Sequence, residues 1–150
     1  IREKQKFKLS YGLDERGLRR VFEVAQRSSG SVAETLIQLL ERRLDNVIFR
    51  SGIAGSRSMA RQLVRHGHIV VNGRITISPG FLVSKGMSIS IRPESLSHGP
   101  FRDLKTTLND QDLPAWLSID KNTLTVTVLG LPQDVARSFE VSLLVESFSK

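Results

Sequence analysis

Apolar residues recur at helical spacing through the first half of the chain and alternate at strand spacing after it. Leu18, Val21, Phe22 and Ala25 share one face of a helix that Asp14 can cap and that runs to Arg27, where Ser29-Gly30 ends it. Gly17 weakens this helix a little. Ser31 and Glu34 form a Ser-x-x-Glu capping box, in which each side chain can satisfy a backbone N–H of the first turn. Leu36, Leu40, Leu44 and Ile48 then follow at four-residue spacing, joined by Ile37 and Val47. They predict a core-facing stripe, broken near Arg42-Arg43 and closed by Gly52 as C-cap.

A further helix is predicted from Arg57 to His66, capped by Ser56 and ended by Gly67. At about 100° per residue, Met59, Ala60, Leu63 and Val64 occupy one side of this helix, while Arg57, Arg61, Gln62 and Arg65 occupy the other. One face packs and the other is a row of guanidinium groups. Ile69 to Val71 read as a short strand. Asn72-Gly73 is a strong two-residue hairpin turn, because both central positions of a type I′ turn need positive φ. Arg74 to Ile77 return. Pro79-Gly80 turns, Phe81 to Val83 extend, Lys85-Gly86 turns again, and Met87, Ile89 and Ile91 alternate as a half-buried strand.

From Pro93 the chain becomes polar and acidic, with a short helix expected within residues 101–109. "LPAWLSID" leads into a strand carrying Leu124, Val126 and Val128, which Leu131-Pro132 breaks. "FEVSLLVESF" (139–148) reads as a closing strand, with a short helix as the alternative. The predicted class is α+β. It comprises a helical region (1–41), a compact helix–helix–antiparallel-sheet module (42–92) and a β-containing C-terminal extension (93–150) packing back on the first two.

Charge changes this picture. Residues 1–92 hold 17 Lys/Arg against 7 Asp/Glu, whereas residues 93–150 hold 5 against 8. No carboxylate lies between Asp45 and Glu94. A solvated face normally mixes signs, so a long region that keeps arginine and excludes acid points to a polyanionic partner. The stretch "SRSMARQLVRHGHIVVNGR" (56–74) lies inside it, with four arginines and two histidines. Met59 stands where a capping box would place Glu, so the helix start carries no local negative charge and its N–H groups can receive a phosphate. Lys4, Lys6 and Lys8 suit an exposed basic arm or a frayed terminus.

Other chemistry is sparse. The chain has no cysteine, which excludes disulfides and thiolate metal sites. His66 and His68 have no third ligand nearby and no acid in the surrounding gap, so no metal site and no cofactor are expected. There is no nucleophile-elbow or phosphate-loop motif. No apolar run approaches the ~18 residues of a membrane span, and no signal-peptide pattern opens the chain. The first residue is Ile1 rather than Met, so a natural N-terminal segment is expected to be missing. An enzyme is not expected. The "RLD" segment does resemble the catalytic-aspartate motif of pseudouridine synthases, but those carry a much larger catalytic domain. Asp45 is expected instead to pair with a neighbouring arginine and orient it. Trp116 is expected in the core, with base stacking as the alternative.

A DNA-binding regulator is one rival reading, since helices precede the basic helix. Against it, the helix ends at a tight Gly67 followed at once by a hairpin. A basic row joined to a hairpin tip suits the phosphates and 2′-hydroxyls of structured RNA.

"RLDNVIFRSGIAGSRSMARQLVRHGHIVVNGR" closely resembles the RNA-binding module of the bacterial-type small-subunit ribosomal protein S-four family. "REKQK", "YGL" and "LLERRLDNV" resemble that family's central helical part, and "LPAWLSID" and "LLVESFSK" its C-terminal part. The resemblance covers nearly the whole chain. It implies a non-enzymatic primary binder of 16S-type small-subunit rRNA that engages the 5′ domain early in assembly. It also implies a place beside the small-subunit protein S-five, near where mRNA enters, with influence on decoding accuracy. The setting would be a cytoplasmic or organellar ribosome. Carried over residue by residue, the RNA face falls on Arg43, Ser56, Arg57, Arg61, Gln62, Arg65, His66, His68, Asn72, Gly73 and Arg74. Arg42 and the lysines Lys4, Lys6 and Lys8 complete the expected rRNA-binding set. The family's basic N-terminal segment, cysteine-bearing in some members, is not in this chain. Met87 follows Gly86 where the family often has an acid, and Glu140-Val141 stand where Asn-Glu is frequent. The alternative is a free-standing ribosome-associated or RNA-modifying factor that uses the same module.

Overall fold

The computed structural model describes residues 11–97, 99–104, 108, 113–132, 143, 145, 146 and 148. The chain divides into two units, residues 1–41 with 132–150, and residues 42–131. Lys4, Lys6 and Lys8 lie outside the described residues.

In the first unit, helix α1 (Glu15–Arg27) starts where expected: the Asp14 carboxylate accepts a 2.7 Å hydrogen bond from the Gly17 N–H. Gly17 also has a steric reason, since a Cβ there would stand 3.1 Å from that same carboxylate oxygen. Asp14→Ala is expected to cost about 1 kcal/mol through the lost cap, read as a shifted denaturation midpoint. Helix α2 (Val32–Glu41) is capped by Ser31, whose Oγ accepts from the Glu34 N–H at 3.3 Å. Leu18, Phe22 and Ala25 of α1 meet Leu36, Ile37, Leu39 and Leu40 of α2 in one core with Tyr11 and Phe148.

The closing strand expected over 139–148 is corrected: Leu143, Val145, Glu146 and Phe148 are helical. Positions three apart share a face in a helix but oppose each other in a strand. Val145 and Phe148 both pack on the same core, and Phe148 stacks on Phe22 with ring centroids 4.8 Å apart. Residues 139–142, 144 and 147 of that segment lie outside the described residues.

In the second unit, helices α3 (Leu44–Arg50) and α4 (Arg57–Arg65) cover one face of an antiparallel sheet. Its strands are β1 (Ile69–Val71), β2 (Arg74–Ile75), β3 (Ser88–Ile91), β4 (Leu117–Asp120) and β5 (Thr125–Val128), in the order β2-β1-β3-β5-β4. Ile69, Val71, Ile89, Ile91, Val126 and Val128 point to the face that holds Leu44, Val47, Ile48, Ala60, Leu63 and Val64. Trp116 is in this core. The α+β class is as expected.

The apolar stripe from Leu36 to Ile48 does break at Arg42-Arg43, and the break has a tertiary cause. Arg43 is extended and bridges to Leu82. The Leu44 and Asp45 N–H groups, which an isolated helix start would leave unpaired, donate to the carbonyls of Phe81 (2.8 Å) and Pro79 (3.1 Å). This is also why Phe81 to Val83, expected to extend as a strand, make a single bridge instead. Strand β2 ends at Ile75, short of the expected Ile77. Around 101–109, Gly99–Phe101 form a 3-10 turn and Leu104 is helical, with residues 105–107 and 109 outside the described set.

Candidate nucleic-acid interface

Helix α4 and the hairpin after it carry the basic residues. Ser56 is extended (φ −150°, ψ 161°), and its Oγ accepts from the Met59 N–H at 3.0 Å. No acid lies in the first turn of α4. Ala60, Leu63 and Val64 are buried, so Arg57, Arg61, Gln62 and Arg65 are left on the outer side. An open depression of about 230 Å³ is lined by Ser58, Arg61, Gln62, Arg65 and His66. Four of these five were expected in the site. Ser58 was not, although it falls within the same helical arc and periodicity alone could have found it.

Gly67 (φ +79°) ends α4, with the His68 N–H reaching back to the Leu63 carbonyl at 3.2 Å. The chain then enters β1 directly. Asn72 (φ 49°) and Gly73 (φ 83°) make the expected hairpin turn, with Val71 paired to Arg74 and Val70 to Ile75. Asn72 is also tied to β3: its N–H donates to the Ser88 carbonyl (2.8 Å), and its Oδ1 accepts from the Ser88 N–H (2.9 Å). The turn is therefore held at both ends, and Asn72, Gly73 and Arg74 are exposed.

Other expected site residues have intramolecular partners. Arg42 donates through Nε to the Val83 carbonyl (2.8 Å) and through Nη2 to Ser84 Oγ (3.3 Å). Arg43 clasps the Asp45 carboxylate with Nε and Nη2, each at 3.2 Å. Arg61 Nε lies 3.9 Å from Asp45 Oδ2, close enough for an ion pair but too far for a hydrogen bond. Asp45 is 1% exposed and also accepts from the Asn46 N–H at 2.7 Å. A carboxylate so enclosed positions arginines, as expected of it, and offers no open face to a substrate. His68 turns toward Ser95 Oγ (Nδ1 at 2.7 Å) and meets the Phe101 ring edge-on, whereas His66 is exposed.

Two residues that sequence alone does not single out hold Arg57, the first arginine of the row. Asn46 Oδ1 accepts from both Nε (3.2 Å) and Nη2 (3.0 Å) of Arg57, whose guanidinium lies 4.4 Å from the centre of the Phe49 ring. Nothing in the local pattern links Arg57 to a position eleven residues earlier; the turn between α3 and α4 brings them together.

The comparisons with known proteins agree with this arrangement. Residues 42–89 match the S4 domain, and residues 1–41 match the ribosomal protein S4/S9 N-terminal domain. The chain is similar over its full length to the small ribosomal subunit protein uS4 of Chloroflexus aurantiacus, at 47% identity and covering 75% of that protein. The same protein of Herpetosiphon aurantiacus is 45% identical and that of Dehalococcoides mccartyi 41%, each with 73% covered. The chain belongs to the uS4 family of small ribosomal subunit proteins. A uS4 chain is a structural ribosomal component rather than an enzyme, and its S4 domain is an RNA-binding module. The likeness runs through the whole chain, not the module alone, which weighs against a free-standing modifying factor and a DNA-binding regulator. Among the described residues, no helix of this uS4 chain is long and apolar enough to cross a membrane.

Proposed function

We propose that this protein binds 16S-type rRNA in the 5′ domain of the small subunit through α4 and the Asn72–Arg74 hairpin, and so nucleates subunit assembly. The observation that carries the reading is a helix with a bare, Ser56-capped start and arginines at 57, 61 and 65, in a run of sequence without carboxylates. Arg57, Arg61 and Arg65 neutralise phosphates. Ser56 and the first-turn N–H groups receive another, and Asn72, Gly73 and Arg74 meet an adjacent backbone. Gln62 and His66 border the same depression. Arg42, Arg43 and His68, each with hydrogen bonds of its own within the chain, and Lys4, Lys6 and Lys8 complete the proposed rRNA-binding set. The protein works on the ribosome in the cytoplasm, beside protein S-five and the region where mRNA enters, and influences decoding accuracy.

Arg61→Ala is expected to weaken binding to a 5′-domain rRNA fragment by roughly 1 kcal/mol or more and to lower the slope of log affinity against log salt by about 1. Affinity and slope equal to those of the unaltered protein would refute this face as the RNA contact. Retention on purified small subunits through a high-salt wash, at one copy per subunit, checks the ribosomal placement.

A further inference from the structure

Two neighbouring residues on the first turn of α3 each hold an arginine of the basic face, but with opposite electrostatic consequences. Asp45 does so with a carboxylate, on Arg43 and, at longer range, Arg61. Asn46 does so with a neutral amide, whose Oδ1 receives two hydrogen bonds from Arg57. Both side chains are 1% exposed. A buried amide oxygen can fix a guanidinium by hydrogen bonding while leaving its positive charge in place. A carboxylate at the same site would fix it equally well and cancel much of that charge. The carboxylate-free run of sequence begins at Asn46 itself.

We propose that Asn46 is a positioning residue of the RNA face, holding the Arg57 guanidinium in register while preserving the charge that a phosphate meets. The inference rests on the reading of that face as the rRNA contact. Its components are local. The Arg57 guanidinium takes one edge from Asn46 Oδ1 and lies against the Phe49 ring, so its orientation is set before RNA arrives. Preorganisation of this kind removes part of the ordering cost of binding. Asn46 itself, buried beneath Arg57, is not proposed to touch the nucleic acid.

The test measures binding of the full 150-residue chain to a 16S-type 5′-domain fragment across a salt series. Thermal unfolding is followed in parallel through the single tryptophan, Trp116. Arg57→Ala is expected to lower the salt slope by about 0.7–0.9. Asn46→Asp keeps an oxygen acceptor toward Arg57 but adds a charge, so it is expected to lower the slope by a similar amount. Because that carboxylate is buried beside Asp45, it is also expected to lower the melting temperature, and binding is compared below the unfolding transition of every variant. Asn46→Leu, close in volume but without an acceptor, is expected to weaken binding when Arg57 is present and to leave the slope unchanged in the Arg57→Ala background. A merely structural Asn46 would leave the slope of Asn46→Asp unchanged and give Asn46→Leu an effect on binding independent of Arg57. If Arg57→Ala lowers the slope and Asn46→Asp does not, the positioning role is overturned while the RNA face stands. If Arg57→Ala leaves the slope unchanged, the RNA face is overturned at this arginine and the positioning role with it.

Discussion

Asp45→Ala is expected to destabilise the 42–131 unit by about 3–5 kcal/mol, the usual consequence of removing one partner from a buried ion pair. Asp45 is 1% exposed, and its two oxygens take both near donors of Arg43 and the Asn46 N–H. Arg43 is itself only 15% exposed along its side chain, so without the carboxylate its charge remains largely out of water and unmatched. Arg61 loses its ion pair as well, although at 3.9 Å and 27% exposure that contribution is small. The Arg43 guanidinium also lies 3.3 Å from where a Cβ on Gly80 would stand, so it has little room to swing out. Denaturant unfolding followed by Trp116 fluorescence reports on this unit, because Trp116 is buried in its core. Asp45→Asn, which keeps an acceptor for the Asn46 N–H, should fall between the alanine variant and the unaltered protein. A loss below about 1 kcal/mol for Asp45→Ala would mean that the pair contributes no more than an exposed one.

What could be read from sequence was what local chemistry decides. The caps at Asp14, Ser31 and Ser56 and the Asn72-Gly73 turn each depend on a few adjacent residues. The outward arginine row follows from helical periodicity alone. What could not be read depends on contacts between distant segments. The stripe from Leu36 to Ile48 looks continuous, yet Leu36 and Leu40 enter one core and Leu44 and Ile48 another. The interruption is made by the carbonyls of Pro79 and Phe81, more than thirty residues away in sequence. The placement of β5 against β3, with Ile89 opposite Val126, has the same non-local origin. In the site, exposure was legible and support was not. Arg42, Arg43 and Arg57 look alike in sequence, but Arg42 is held by Val83 and Ser84, Arg43 by Asp45, and Arg57 by Asn46.

The support beneath the row bears on what the arginines can do together. Replacing Arg57, Arg61 and Arg65 by alanine at once is expected to weaken 5′-domain rRNA binding by about 3 kcal/mol or more, over a hundredfold, and to lower the salt slope by roughly 2–3. Successive members of the row are separated by four residues, a rise of about 6 Å, so they meet successive parts of one phosphate backbone rather than one point. The three should not be equivalent. Among the described residues, Arg65 has no side-chain hydrogen bond or ion pair, so Arg65→Ala is expected to change binding and leave unfolding unaltered. Arg57 has Asn46 and Phe49, and Arg61 has Asp45, so their removal should also shift the Trp116 unfolding transition. Taking Arg61 away leaves Asp45 with Arg43 alone, which restores some negative potential under the face. The binding loss for Arg61→Ala should therefore exceed that for Arg65→Ala, although each removes one positive charge. Filter binding of the single and triple variants at several salt concentrations separates these terms. A triple variant that stays folded by fluorescence and binds within about threefold of the unaltered protein would move the RNA contact off this helix altogether.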